Sequence, residues 1–376
     1  MKSTKVIAFY LPQFHPMPEN DLWWGKGHTE WRSVAKAKPL FKGHKQPKIP
    51  ANLGFYDLRL EETRFAQAEL AQKAGISAFC YYYYWFEGKR IMNEPLDRML
   101  KTGRPDFPFC LAWANHDWYN KGWITSNKRI ELKPKLLIKQ GYGGVKDYTD
   151  QFYTYLSAFK DERYFKTHGK LLFMIYAADL IPDLEIFIST WQHLADKEGL
   201  PGFYFITHMD RPHLFDKLAP LYQKGIDAVN LSYLHVPFEH TIKGVLKNNK
   251  ICRKLLNFWE SKISFSPITI EYAKAIKYLD TEEFEKENII PTIIPNWDHT
   301  PRSGRFGKVY KNSSPFLFGQ HTDNVLKRLK KKGMEDRIVF LKSWNEWGEG
   351  NYLEPDEEYG EQYIETLRNC LDKFDL

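Results

Sequence analysis

The chain contains no run of 18 or more uninterrupted apolar residues, so no part of it reads as a membrane-spanning helix. Its opening stretch, Met1 to Tyr10, turns polar too early for a secretory leader, which leads to the expectation of a cytoplasmic protein. Cysteine is scarce. Cys80, Cys110, Cys252 and Cys370 are scattered across 376 residues, which excludes a disulfide framework and a zinc knuckle. Cys80 and Cys110 sit in apolar runs, where a reduced thiol packs as a small hydrophobe. Neither sign of charge dominates: 54 basic and 47 acidic residues leave a formal charge of +7, spread too widely to mark a nucleic-acid partner.

Several catalytic signatures are also missing. No glycine-rich phosphate loop follows the first apolar run, and there is no G-x-S-x-G elbow and no convincing Asp-x-Asp metal motif. His116-Asp117, His208 with Asp210, and Asp298-His299 offer metal-type donors, but none has the H-E-x-x-H spacing that would place two on one helical face. No cofactor and no metal are expected.

Aromatic residues, in contrast, make up 16% of the chain. They suit the apolar faces of sugar rings, and they also fill cores, so composition alone supports carbohydrate only weakly. The stronger signal is alternation. Eight apolar, β-rich runs fall at Val6–Leu11, Ser77–Tyr83, Phe107–Ala112, Leu171–Tyr176, Gly202–Thr207, Ala228–Leu231, Ile289–Ile294 and Arg337–Leu341. Helical patterns separate them at Glu61–Ala74, Pro95–Thr102, Val145–Phe159, Asp183–Glu198, Leu214–Gln223, Ile268–Leu279 and Asn324–Lys332, and a last one follows at Tyr359–Phe374. Strands this apolar have no wet face, so the pattern predicts an α/β fold, a (β/α)8 TIM barrel, over a doubly wound open sheet. The whole of 1–376 reads as one barrel, with long loops after strands 1 and 6. The second, 233–267, is an inserted helical and basic segment carrying Lys243, Lys247, Lys250, Arg253 and Lys254. It reads as a cap on the barrel or as a peripheral contact with a membrane surface.

Chemistry in such barrels gathers where the strands end. Those ends carry Tyr10 and His15, then Tyr82, Tyr84 and Trp85, then Trp113, Asn115 and His116. Later ends carry Tyr176, His208, Asn230 with Tyr233, Trp297 with Asp298, and Trp344 with Asn345. Together they describe a sugar-binding mouth, although any single loop Asp or Asn also serves to cap a helix. In the run Tyr81 to Tyr84, alternate side chains must face opposite ways, two toward the helices and two into the barrel. After the last strand come Glu346 and Glu349, three residues apart among tryptophans, with Gly348 and Gly350 to let the backbone turn. Surface loops often carry Glu pairs. A pair placed directly after a buried strand is instead suited to glycosidic bonds, where two carboxyls flank the scissile link.

Three long segments carry a family resemblance: Ala8 to Pro16, Glu19 to Trp31 and Lys38 to His44. Phe79 to Phe86, Pro105 to Cys110 and Trp344 to Pro355 add to it. Over most of its length the chain resembles the WbsX-like glycosyltransferases encoded with bacterial surface-polysaccharide genes. Tyr83 stands where that family usually has His, and His116 where it usually has Glu. At greater distance the chain is similar to glycoside hydrolase family 99, the endo-α-mannosidases and endomannanases, through Asn345-Glu346-Trp347-Gly348-Glu349-Gly350. This second resemblance implies a (β/α)8 barrel and net retention through an anhydro-sugar intermediate. It makes Glu349 the acid/base and Glu346 the base acting on the sugar's 2-hydroxyl.

The leading expectation is therefore a retaining glycoside hydrolase or transglycosylase of bacterial surface polysaccharide, O-antigen or capsule, acting on an oligo- or polysaccharide. A glycosyltransferase using an activated or lipid-linked donor, at the inner membrane, is the alternative. A non-catalytic glycan-binding barrel is the third reading.

Overall fold

The computed structural model describes residues 4–120, 135–210, 218–248, 251, 266–333 and 337–375. Eight parallel strands follow one another around a ring: β1 (Lys5–Tyr10), β2 (Ile76–Phe86), β3 (Phe109–Trp113), β4 (Lys170–Ile175), β5 (Phe203–Met209), β6 (Ala228–Leu231), β7 (Ile289–Ile293) and β8 (Ile338–Leu341). β8 pairs back onto β1, with Val6 opposite Val339 and Ala8 opposite Leu341, and β1 pairs with β2, so the sheet is closed. The strands from β3 to β8 are nearly continuous in apolar residues because helices cover the outside and side chains fill the inside. The fold is the TIM barrel that the alternation predicted.

Phe9 shows how the inside fills. It stacks on Tyr82 of β2 at 5.2 Å, meets Phe340 of β8 at 5.0 Å, and takes the edge of His208 of β5 at 6.0 Å. Outside, Trp191 is fully buried on the helix Leu184–Lys197 between Phe173, Phe187 and Phe203, and donates its indole N–H to the Tyr148 carbonyl at 3.0 Å.

Several boundaries differ from the sequence reading, each for a tertiary reason. β2 runs three residues beyond Tyr83, because Tyr84 to Phe86 pair antiparallel with Lys89–Ile91. The turn between them, Glu87-Gly88, has both residues at positive φ, as a two-residue hairpin requires. Ile268–Glu271, expected as the first turn of a helix, is a strand paired with Lys308–Lys311, and the helix begins only at Tyr272. The β-branched Ile268, Thr269 and Ile270 found a strand partner that local periodicity could not reveal. The helix expected from Asn324 starts earlier, at Pro315, with the Ser314 hydroxyl accepting from the Leu317 amide at 3.4 Å.

Of the helix expected over 214–223, the described part is Leu218–Gln223. Of the 233–267 segment, the described part holds the helical pieces Val236–Glu239 and Ile242–Asn248. Lys250, Arg253 and Lys254 lie outside the described residues.

Truncating Trp191 to Ala should cost about 3–5 kcal/mol, the usual price of a cavity of that size in a packed core. Urea denaturation of the two proteins measures it, and a loss under ~1 kcal/mol would mean that the helical layer does not depend on this contact.

Candidate active site

The strand ends open into a cavity of about 380 Å3. Six of the candidate residues line it: Tyr82, Tyr84, His116, Tyr176, Glu346 and Glu349. The tyrosine run behaves as strand alternation demands. Tyr82 and Tyr84 face the cavity, while Tyr81 packs on Tyr10 at 4.3 Å, and Tyr83 packs on Tyr155 and accepts from the Gln151 amide at 2.9 Å.

Glu346 and Glu349 follow β8, and a buried guanidinium holds them. Arg302, on the single helical turn Thr300–Ser303 after β7, is only 11% exposed in its side chain. Its Nη1 reaches Glu346 Oε1 at 3.5 Å and also bonds Glu349 Oε1. Its Nη2 and Nε bind Glu30 at 2.9 and 3.2 Å, and Glu30, at the start of the helix Glu30–Lys36, is fully buried in its side chain. His299 Nε2 lies 3.2 Å from Glu349, and the Ser343 hydroxyl donates to Glu346 Oε2 at 3.1 Å.

The two acids are pushed apart. Burial and the neighbouring Glu349 charge raise Glu346 above the ordinary carboxyl range. Burial also opposes ionisation of Glu349, but Arg302, then His299 and Lys342, outweigh it and hold that carboxyl well below the range. Of the two, Glu346 therefore holds a proton more readily and Glu349 ionises more readily.

The glycines between and after these acids do different things. Gly350 sits at φ +51°, the turning role that the sequence suggests, and a Cβ there would lie 2.7 Å from the Asp298 Cβ. Gly348 has no such φ. A Cβ there would lie 1.9 Å from Glu30 Oε2 and 2.9 Å from Arg302 Nε, so glycine makes room for the ion pair.

The remaining candidates do not line the cavity, and most of them spend their polar atoms on neighbouring loops. Asn345 clamps loop 8 to loop 1, its side chain accepting from Leu11 N at 2.7 Å and donating to Leu11 O at 3.1 Å. Asn115 similarly ties the third loop to Ala177 at 2.8 Å in both directions. Asp298 does not face the cavity: it accepts from His44 and Gln46, each at 2.7 Å, and from the Thr300 amide and hydroxyl. Tyr10 donates to Gln67 at 2.7 Å, Trp85 to Asp147 at 2.9 Å, and Trp113 to the Trp85 carbonyl at 3.2 Å. His208 Nδ1 is 2.7 Å from the Asn230 amide oxygen, Asn230 donates on to Thr292, and Tyr176 stacks on the His208 ring at 4.7 Å. His15, Tyr233, Trp297 and Trp344 are buried, with Trp344 packed on Phe79 and Trp297 on His299.

Sequence reasoning missed Arg302, Glu30 and Lys342 as site residues, and offered His299 only as a metal-type donor. Glu30 lies in the segment that carries the family resemblance, and Lys342 directly ends an apolar strand, so both had a signal. Nothing around Arg302 distinguishes it from a surface arginine. Trp23, Trp24 and Trp118 add aromatic lining to the cavity, with Trp118 against Tyr84 at 4.9 Å.

The same barrel occurs in solved glycoside hydrolases. The GH99 endo-alpha-mannosidase of Bacteroides thetaiotaomicron is similar at a TM-score of 0.55 and 15% identity, over 98% of this chain and 97% of its own. A structure described as a glycoside hydrolase-like protein is similar at a TM-score of 0.57 and 17% identity, over 99% and 94%. At these identities the likeness speaks for the fold. The sequence goes further: residues 6–367 match the family described as Glycosyltransferase WbsX, and the chain belongs to that family. Two curated relatives, each called uncharacterized protein WxcX, come from strains of Xanthomonas campestris pv. campestris and are 31% identical over 370 residues. That match covers 97% of this chain and 49% of either relative, so the chain spans about half the length of the curated relatives it matches.

Replacing Arg302 by Met should destabilise the protein by about 3–5 kcal/mol at pH 8, since buried carboxylates lose their cation. Without Arg302 the folded pKa values of Glu30 and Glu349 rise, so the variant binds more protons folded than unfolded and its penalty shrinks toward pH 5. Denaturation at both pH values reads the difference, and an equal penalty at each would contradict the cluster's role. Gly348→Ala should displace Glu30 from Arg302 and lower activity at least ~10-fold while the fold survives, as kinetics and circular dichroism would show together.

Proposed function

We propose that the cavity binds a glycan and that Glu346 and Glu349 together break or transfer its glycosidic bond with retention. The observation that carries this reading is the shared guanidinium nitrogen. It brings the nearer carboxylate oxygens closer together than the ~6.5–9.5 Å separation that inverting enzymes need for an intervening water. The opposed shifts make Glu346 the better proton donor of the pair and Glu349 the more readily ionised carboxyl.

In such a step the base takes the proton of the sugar's 2-hydroxyl as O2 attacks C1, and the acid delivers its proton to the departing oxygen. Water or another sugar hydroxyl then opens the C1–O2 bond. The family 99 resemblance makes Glu349 the donor, whereas the charges of the free site favour Glu346, because Arg302 and His299 hold Glu349 ionised. We adopt the assignment that the charges favour. A role in surface polysaccharide, O-antigen or capsule, and a lipid-linked glycan met at the inner face of the membrane belong to the same proposal. Among the described residues no helix is long and apolar enough to cross a membrane.

Transfer from an activated donor is the second reading. The family description favours it, as do the two cations at the cavity, Arg302 and Lys342, which would suit a phosphate leaving group.

A panel of glycans, and separately nucleotide sugars with acceptors, distinguishes release from donor-dependent transfer. On the active substrate both Glu346→Gln and Glu349→Gln should lose roughly 10²- to 10⁴-fold in kcat, with glycan binding retained. An aryl glycoside with a dinitrophenolate leaving group needs no acid, so it should restore much of the rate to Glu346→Gln and little to Glu349→Gln. The reverse pattern would return the donor role to Glu349, and full activity in both variants would refute catalysis by the pair.

A further inference from the structure

Lys342 is the first residue after β8, 5% exposed, and it lines the same cavity as the two acids. Among the described residues its ammonium has no hydrogen-bond acceptor or carboxylate within pairing distance. Its nearest fixed partner is the face of the Phe9 ring, 5.5 Å from Nζ. Lys332, also deeply buried, shows the ordinary solution, donating to the Ile289 carbonyl.

A buried ammonium left without a partner costs several kcal/mol unless something met during function repays it. The charge is real: burial works against it, but Tyr176, Glu346, Glu349 and Asp210 together hold the lysine above its ordinary range. The same ammonium helps to keep the neighbouring His208 neutral, burial being the larger cause. Nor do the acids consume it. Glu30 and Glu349 pair directly with Arg302, and neither they nor Glu346 reaches the ammonium within ion-pairing distance. What remains is an ammonium with no fixed hydrogen-bond partner on a buried wall, facing a sugar-sized space beside the two acids.

We propose that Lys342 binds an anionic group of the substrate, a carboxylate or a phosphate on the sugar that sits against Glu346 and Glu349. The inference rests on the glycan-binding reading of this cavity and names the class of glycan, an acidic or phosphorylated sugar. A hexuronate would present the charge at C6, and a hexose 1-phosphate at the anomeric oxygen, where an activated donor carries it. No bond forms or breaks in this recognition. The lysine contributes charge and up to three donors.

The test is binding, independent of turnover. Neutral hexoses, hexuronates and hexose 1-phosphates of the gluco, galacto and manno series are titrated into the full chain by calorimetry or NMR. The wild type, Lys342→Met, Lys342→Arg and Glu346→Gln are compared. A charged hydrogen bond in a buried site should make one anionic series bind roughly 10-fold or more tighter than its neutral counterpart. That preference should vanish in Lys342→Met, return in part in Lys342→Arg and persist in Glu346→Gln. Preference for the uronate identifies an acidic glycan, and preference for the 1-phosphate identifies an activated donor. Equal binding of neutral and charged sugars, no binding of either anion, or a preference that survives Lys342→Met would overturn the proposal. The catalytic reading would stand or fall separately, on the turnover of the glutamate variants.

Discussion

The site depends on one guanidinium. Arg302 comes from the loop after β7, Glu30 from the long loop after β1, and Glu346 with Glu349 from the loop after β8, so a single side chain joins three loops at the cavity. None of these carboxyls could ionise cheaply alone in so buried a place, and Arg302 could not be buried without them. The surrounding contacts follow from holding this cluster in register. Asn345 ties loop 8 to loop 1, Asp298 gathers His44, Gln46 and Thr300, and Gly348 leaves the space that the Glu30 carboxylate occupies.

Because Arg302 and His299 both lie nearer to Glu349 than to Glu346, the cluster treats two chemically identical side chains differently. The two proton affinities are thus set apart by the protein alone, the preorganisation on which the proposed glycosidic chemistry would draw. The barrel does not settle which reaction follows, since this fold serves many activities. A fold shared with glycoside hydrolases and a family described as glycosyltransferases meet here in one cavity.

Much of the fold was legible in the sequence, for identifiable reasons. Parallel strands covered on both faces must be apolar throughout, and the eight runs showed it. The alternation of Tyr81 to Tyr84 followed from the pleat alone, and the cavity received Tyr82 and Tyr84 as expected. Reading failed where distant partners override local pattern. Ile268–Glu271 became a strand because Lys308–Lys311 lies beside it. Trp85, Trp113, Asn115 and Asp298 sit at strand ends as a mouth would require, yet they spend their hydrogen bonds on neighbouring loops.

By itself, the sequence determined the repeating strand and helix order, the absence of phosphate-loop and metal signatures, and the placement of two glutamates after the last strand. Those properties are local, set by hydrophobic period and by spacing along the chain. Only the tertiary structure decided which glutamate ionises more readily, which strand-end residues reach the cavity, and that Arg302 and Lys342 belong to it. The proton affinity of a buried carboxyl depends on charges a few ångströms away, and Glu30 lies 272 positions from the arginine it binds. Sequence distance carries no record of such proximity until the barrel closes.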